Sequence, residues 1–115
     1  REHAEWYTAA LAGVDAVRTP PTDAANEHIF HQYVISADRR DDLQAHLKAA
    51  GVGTAVYYPR PLHRQRCFDY LGYQEGALPA AEAAARRVLA LPIYPELGEA
   101  QRAYVVSCIR SFFGA

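Results

Sequence analysis

Apolar positions recur along the chain with two different periods, and the switches between them lay out the elements. Near the start, Ala4, Tyr7 and Leu11 share one helical face, with Trp6 and Ala10 beside them. Gly13 ends that helix, and Thr19-Pro20-Pro21-Thr22-Asp23 reads as a turn-rich linker. His28 to Ile35 is nearly continuous in hydrophobicity and rich in aromatic and β-branched residues, which predicts a buried strand. Asp38 is placed to cap a helix from Arg39 to about Ala50, with Leu43 and Leu47 at i, i+4 and Gly51 as its stop. Gly53 to Tyr58 predicts a second strand, after which Pro59 and Pro61 force an extended loop. Residues 64–76 are irregular, with one short turn around Cys67 to Leu71. Pro79 suits the first turn of a helix running to about Leu89. Pro92 stops it, and Leu91 to Tyr94 is a short extended piece. Val105, Cys108, Ile109 and Phe112 form an apolar stripe on a last helix from about Glu99 to Phe113.

That order predicts a two-layer α/β domain in which a small two- to three-stranded sheet packs against about four helices. Residues 1–115 form a single domain, long enough to bury its own core. A sheet this small leaves an open edge, which favours docking on a neighbour. Half of the residues (50%) are hydrophobic and 22% are charged, a globular balance. The formal net charge of -1 argues against a basic nucleic-acid surface and against an anionic-membrane binder. No apolar run reaches the ~20 residues of a membrane span. Cys67 and Cys108 lie far apart and make neither a disulfide framework nor a zinc spacing, which fits a reducing, cytoplasmic setting. Arg1 to Tyr7 does not read as a secretory signal. With no Met and a helical pattern from the first residue, residues 1–13 read as the tail of a longer helix and the chain as a fragment.

Of the 12 cationic residues all but Lys48 are arginines, so chemistry that requires a lysine must use Lys48 or a group outside this chain. The densest polar cluster is Tyr57-Tyr58-Pro59-Arg60-Pro61-Leu62-His63-Arg64, just after a predicted strand. Tyrosine hydroxyls suit sugar or phosphate oxygens, and Arg60 and Arg64 suit an anion. The bland alternative is a connection stiffened by prolines, with one tyrosine packed in the core and its neighbour exposed. His28 and His31 would face opposite sides of the first strand, which disfavours a shared metal. Cys67 follows Arg64 and Arg66 but has no base partner, and reads as an ordinary half-buried thiol. His46 is expected on the solvent face of its helix, and Arg86-Arg87 on a solvated face or a subunit contact. Gly51-Val52-Gly53 lacks the third glycine and following helix of a phosphate loop. On these residues alone no active site is complete.

Five motifs, in order, carry a resemblance: His31-Gln32-Tyr33-Val34-Ile35; Arg40-x-Asp42-Leu43 through Leu47 to Gly51-Val52-Gly53-Thr54-Ala55-Val56; Tyr57-Tyr58-Pro59-x-Pro61-Leu62-His63; Leu71-Gly72-Tyr73 through Gly76-x-Leu78-Pro79-x-Ala81-Glu82; and Leu89-x-Leu91-Pro92-Ile93-Tyr94-Pro95-Glu96-Leu97. The chain resembles the C-terminal small domain of the DegT/DnrJ/EryC1/StrS aminotransferases, vitamin-B6-dependent enzymes of fold type I. The resemblance covers about Arg1 to Phe113. It implies that the cofactor-binding large domain, with the lysine that holds pyridoxal phosphate (PLP), is absent here. It makes Lys48 a surface residue and the fragment alone inactive, with no catalytic, cofactor or metal residue of its own. The implied reaction moves an amino group, commonly from L-glutamate, to a nucleotide-linked keto-sugar in a homodimeric enzyme of amino-sugar biosynthesis.

Where the family usually reads His-Tyr-Pro at the sugar pocket, this chain reads Tyr57-Tyr58-Pro59. A phenol is neutral at pH 7 while an imidazole can carry charge, so a uronate becomes less suitable and a neutral 6-deoxy sugar more so. The implied substrate-binding residues are Tyr57, Tyr58, His63 and Arg60. The segment ending at Glu82 looks structural, a turn and helix start with a carboxylate near its positive end. Removing a large domain is expected to bare an apolar face bordered by Trp6, Tyr7 and part of the last helix. Two other readings compete: a free-standing ligand-binding or regulatory module derived from that domain, and a purely structural interaction unit indifferent to Tyr57→Phe and Tyr58→Phe.

Overall fold

The computed structural model describes all 115 residues. Helix α1 spans Glu2–Ala10 and buries Ala4 and Tyr7, with Leu11 completing the face just beyond it. A turn through Gly13 leads to the two-residue strand β1, Val17–Arg18. A long extended connection then reaches β2, Tyr33–Ala37, and helix α2, Arg40–Ala49. Two short 3-10 turns, Leu62–Arg64 and Arg66–Leu71, interrupt the next stretch. Helix α3, Pro79–Arg87, passes directly into β3, Val88–Leu91, and helix α4, Glu99–Phe113, closes the chain.

The three strands form one antiparallel sheet with β2 in the centre. Tyr33 pairs with Leu91 and Ile35 with Leu89, so these four side chains share one face. Tyr33, Ile35 and Ala37 are buried while Val34 and Ser36 are only half-buried. Helices α1, α2 and α4 supply Tyr7, Leu43, Leu47, Val105 and Ile109 to the same core. Fully burying each Leu or Ile is worth about 1.5–3 kcal/mol. The two-layer α/β architecture with about four helices is therefore the one observed, with its strand boundaries moved.

The segment predicted as a strand from His28 becomes one only at Tyr33. Phe30 sits at φ 50 and its N–H donates to His28 Nδ1 at 2.8 Å, a local turn that no ladder accommodates. His28 and His31 thus precede the strand rather than flank it. The strand predicted over Gly53 to Tyr58 reduces to one bridge, Ala55 with Ala90, on the outer edge of β3. The helix predicted to Leu89 ends at Arg87, because Val88 to Leu91 pairs with β2 and buries Leu89 and Leu91. The extended piece predicted at Leu91 to Tyr94 is consequently displaced towards Val88, and Pro92 ends a strand rather than a helix. Asp38 does not cap α2: it pairs with Arg87 at 2.6 Å, and Arg39 takes the N-cap position in the left-handed region. α4 has the predicted bounds, and Gly114 at φ 71 terminates it.

The radius of gyration is 15.5 Å, against about 13 Å for a compact domain of this length. The excess comes with a stretch of more than twenty residues, 56–78, that contains only the two 3-10 turns. Connections that long are uncommon in small domains and are usually functional. No helix is long and apolar enough to cross a membrane.

Candidate functional site

Residues 56–78 form an arm that leaves the sheet at the Ala55 bridge and returns at the start of α3. Pro59 and Pro61 have no N–H to offer a ladder, so the backbone leaves β3 after a single bridge. This puts both tyrosines outside, Tyr57 at 44% and Tyr58 at 71% exposure, instead of one in the core. Their rings meet edge to face at 5.8 Å. Tyr57 lines a hollow of about 350 Å³ with His31, Gln32, Thr54, Leu91 and Ile93. Arg60 is exposed and makes neither an ion pair nor a hydrogen bond, so its guanidinium is free for an anion.

His63 points the other way. It is buried, and its Nε2 lies 3.0 Å from Oε1 of buried Glu82. Its ring packs edge-on against Tyr73. Glu82 also accepts from the Gly76 N–H through both oxygens, at 3.0 and 2.9 Å, and more weakly from the Leu78 N–H. The Gly76 N–H, then the hydrogen bond to His63, hold the Glu82 carboxyl below the usual carboxylate range. Gly76 makes this turn at φ 85, a conformation that glycine adopts without strain. The segment read as a turn and helix start with a carboxylate is that, with the addition that the carboxylate reaches back to His63.

Of the four residues expected to meet substrate, the fold thus presents Tyr57, Tyr58 and Arg60 together and turns His63 inward. Arg64 only touches the Tyr73 carbonyl, at 3.4 Å. Cys67 is exposed rather than half-buried. His46 is half-buried against Phe112, because α4 packs across α2 there. Arg86 is exposed, but Arg87 bonds Ser36 Oγ and Asp38 and is not a free solvated charge.

The exposed apolar surface is not where the sequence placed it. Tyr7 is fully buried, stacked on Tyr33 at 5.2 Å, with its hydroxyl donating to the Pro92 carbonyl. Burial pushes the Tyr7 phenol up to about 12. Trp6 is half-buried under the Arg102 guanidinium. Most of the exposed large side chains lie on the arm instead, Leu62, Tyr70, Leu71, Tyr73 and Leu78 beside the two tyrosines, with Ile29 and Tyr94 exposed elsewhere. On α4 only Tyr104 joins them. Leu62, Leu71 and Leu78 follow no helical or strand period, so the periodicity gave no signal for them.

The residues do not fit a pyridoxal cofactor. Lys48, the one amine side chain, lies on the exposed face of α2 and lines none of the larger hollows.

Comparison with known proteins follows the same outline. A Geobacillus stearothermophilus protein named pleiotropic regulatory protein is 52% identical over 98% of this chain and 31% of its own length. An Acidithiobacillus ferrooxidans UDP-N-acetyl-3-dehydro-alpha-D-glucosamine 3-aminotransferase is 40% identical over 96% of this chain and 29% of its own. The crystal structure of DesV from S. venezuelae in complex with a ketimine intermediate superposes with a TM-score of 0.94 at 34% identity, covering 99% of this chain and 31% of that one. The chain therefore spans about 30% of the length of the relatives it matches. The sequence model of the DegT/DnrJ/EryC1/StrS aminotransferase family matches residues 1–110, and the chain belongs to that family.

Proposed function

We propose that these residues are the small C-terminal domain of a PLP-dependent transaminase that acts on a nucleotide-linked keto-sugar. The observation that carries this reading is the joint match of sequence and backbone to sugar aminotransferases over nearly the whole chain. In the proposed reaction an amino acid, commonly L-glutamate, gives up its amine and leaves as the 2-oxo acid. The sugar carbonyl accepts the amine. The amine chemistry belongs to a cofactor and a lysine outside these residues, since Lys48 is on the wrong surface. This chain positions substrate.

Tyr57 and Tyr58 offer hydroxyls to the sugar and Arg60 offers a guanidinium fork to the phosphates. With His63 turned inward, Tyr57 brings an uncharged phenol to a hollow that it shares with His31 and Gln32, which supports an uncharged sugar such as a 6-deoxy hexose over a uronate. The assembled enzyme is proposed to be a cytoplasmic homodimer.

The test is a transaminase assay on the natural polypeptide that carries these residues, supplied with PLP, L-glutamate and a UDP- or dTDP-linked keto-sugar. Formation of 2-oxoglutarate together with the aminated sugar nucleotide is the expected outcome. Binding of the sugar nucleotide without any amine transfer would reject catalysis. It would favour the second reading, a regulatory module, which the 52% identity to a protein named as a pleiotropic regulator supports. UDP-glucose binding more tightly than UDP-glucuronate is the outcome expected of Tyr57, and the reverse order would reject the uncharged-sugar assignment.

A further inference from the structure

Residues 56–73 make one long-range hydrogen bond to the rest of the molecule, the pair His63 Nε2 and Glu82 Oε1 at 3.0 Å. All the other hydrogen bonds of this stretch are local. Arg64 and Gln65 N–H groups bond Pro61 and Leu62, Phe68 bonds Gln65, Gly72 bonds Asp69, and Arg64 reaches Tyr73. The arm enters from the Ala55 bridge, where Ala90 N–H donates to the Ala55 carbonyl at 2.7 Å and Ala55 N–H donates to the Ala90 carbonyl at 3.2 Å. Tyr57, Tyr58 and Arg60 therefore lie between two fastenings, the Ala55 bridge and the His63–Glu82 pair. Glu82 itself stands on α3, which runs directly into strand β3 of the sheet. It is also held by the Gly76 and Leu78 N–H groups.

We propose that Glu82, acting through the His63 imidazole, is a positioning residue that fixes the Tyr57–Arg60 loop against the sheet for substrate. This rests on the reading of that loop as the sugar-nucleotide surface. The physical case is the setting of the bond. Both residues are buried, at 8% and 7% exposure, and neither belongs to the apolar core cluster. A hydrogen bond to an ionised group in such a place is strong, and leaving either partner unpaired there is costly. Packing alone gives the loop little: Tyr57, Tyr58 and Leu62 are all exposed.

The test compares His63→Leu with His63→Gln in the natural polypeptide. Leucine keeps an apolar filler but no donor, whereas the glutamine carboxamide keeps an N–H for Glu82. Amide hydrogen exchange is followed over residues 57–64 and over α4, and binding is titrated with UDP-glucose as the probe. His63→Leu is expected to speed exchange over 57–64 by about tenfold and weaken UDP-glucose about tenfold. α4 should be unchanged, and His63→Gln should lie within about twofold of the unmodified protein on both readouts. Equal effects of the two variants would overturn the proposal, since packing would then suffice. So would faster exchange with undiminished binding, or no change in exchange. If His63→Leu fails to fold, Glu82→Gln is read by the same two measurements with the same criteria. If the unmodified protein ignores UDP-glucose while exchange responds to His63→Leu and is rescued by His63→Gln, the sugar-nucleotide reading fails and the fastening of the loop by Glu82 stands.

Discussion

The sheet with its helices and the arm over 56–78 are built from similar residues put to opposite uses. Around β2 the large side chains, Tyr7, Tyr33, Ile35, Leu43, Leu47, Leu89 and Ile109, are fully buried. On the arm Tyr58, Leu62, Tyr70 and Leu71 are more than half exposed. Composition does not separate the two regions. Hydrogen bonding does: the first is a ladder-and-helix framework, while the second hangs on one bridge and on the Glu82 carboxylate, which meets His63, Gly76 and Leu78. Rigidity is thus concentrated in the sheet and contact surface in the arm.

The comparison breaks most visibly if truncation costs the same in both regions. Leu43→Ala and Ile109→Ala should each lower unfolding free energy by about 2–5 kcal/mol in urea titrations. Tyr70→Ala should stay within about 0.5 kcal/mol. A loss of several kcal/mol at Tyr70 would make the arm part of the cooperative core.

Arg40→Ala comes next. Its buried guanidinium donates to the Val88 carbonyl at 2.7 Å and the Ala85 carbonyl at 3.0 Å, tying α2 to the junction of α3 and β3. Loss of these charge-assisted bonds should cost about 2 kcal/mol in the same titration. An unchanged midpoint would mean that water replaces the guanidinium at no loss.

Acid sharpens the comparison from the arm's side. The folded Glu82 carboxyl lies below its ordinary value, so its contribution is complete above the unfolded carboxyl's value of ~4.3 and fades as pH falls through the lower folded one. His63 is the only titratable side chain whose charge acts on it. Brief pepsin digestion over falling pH should therefore cut at Phe68 to Leu71 before α4 is touched. Glu82→Gln should show that cleavage already at the upper end of the range. Simultaneous loss of both regions would contradict the arm's separate fastening.

The smallest effects on stability belong to Tyr57→Phe and Tyr58→Phe, each within about 0.5 kcal/mol. Sugar-nucleotide binding should nonetheless weaken about tenfold for at least one of them, by loss of a hydroxyl bond. Indifference in both assays would favour a purely structural unit.

The helical half of the fold was legible because helical burial has a period. Val105, Cys108 and Ile109 of the α4 stripe and the α1 face of Ala4, Tyr7 and Leu11 are buried as read, while Phe112 is half-buried. The 53–58 stretch misled because Val56, Tyr57 and Tyr58 have strand composition, while ladder pairing depends on a partner edge some thirty-five residues away. β1 is two residues long and carries no pattern at all. The candidate loop was legible in its residue types, but not the direction of His63. That direction goes with Glu82, nineteen residues on, and a buried pair of polar groups announces nothing in local sequence. The same holds for Arg40 and for Arg102, buried against His3 and Trp6.

The Ala55–Ala90 bridge has a consequence for variation among related chains. It closes the outer edge of β3 just before the arm departs, so the arm's length is not written into the sheet's register. Closing a flexible loop costs only ~0.6 kcal/mol more for each doubling of its length. Residues inserted or deleted between the bridge and Gly76 would leave β2, β3 and the helices undisturbed. The arm is where such a domain can be lengthened, shortened or reshaped for a new ligand at little thermodynamic risk.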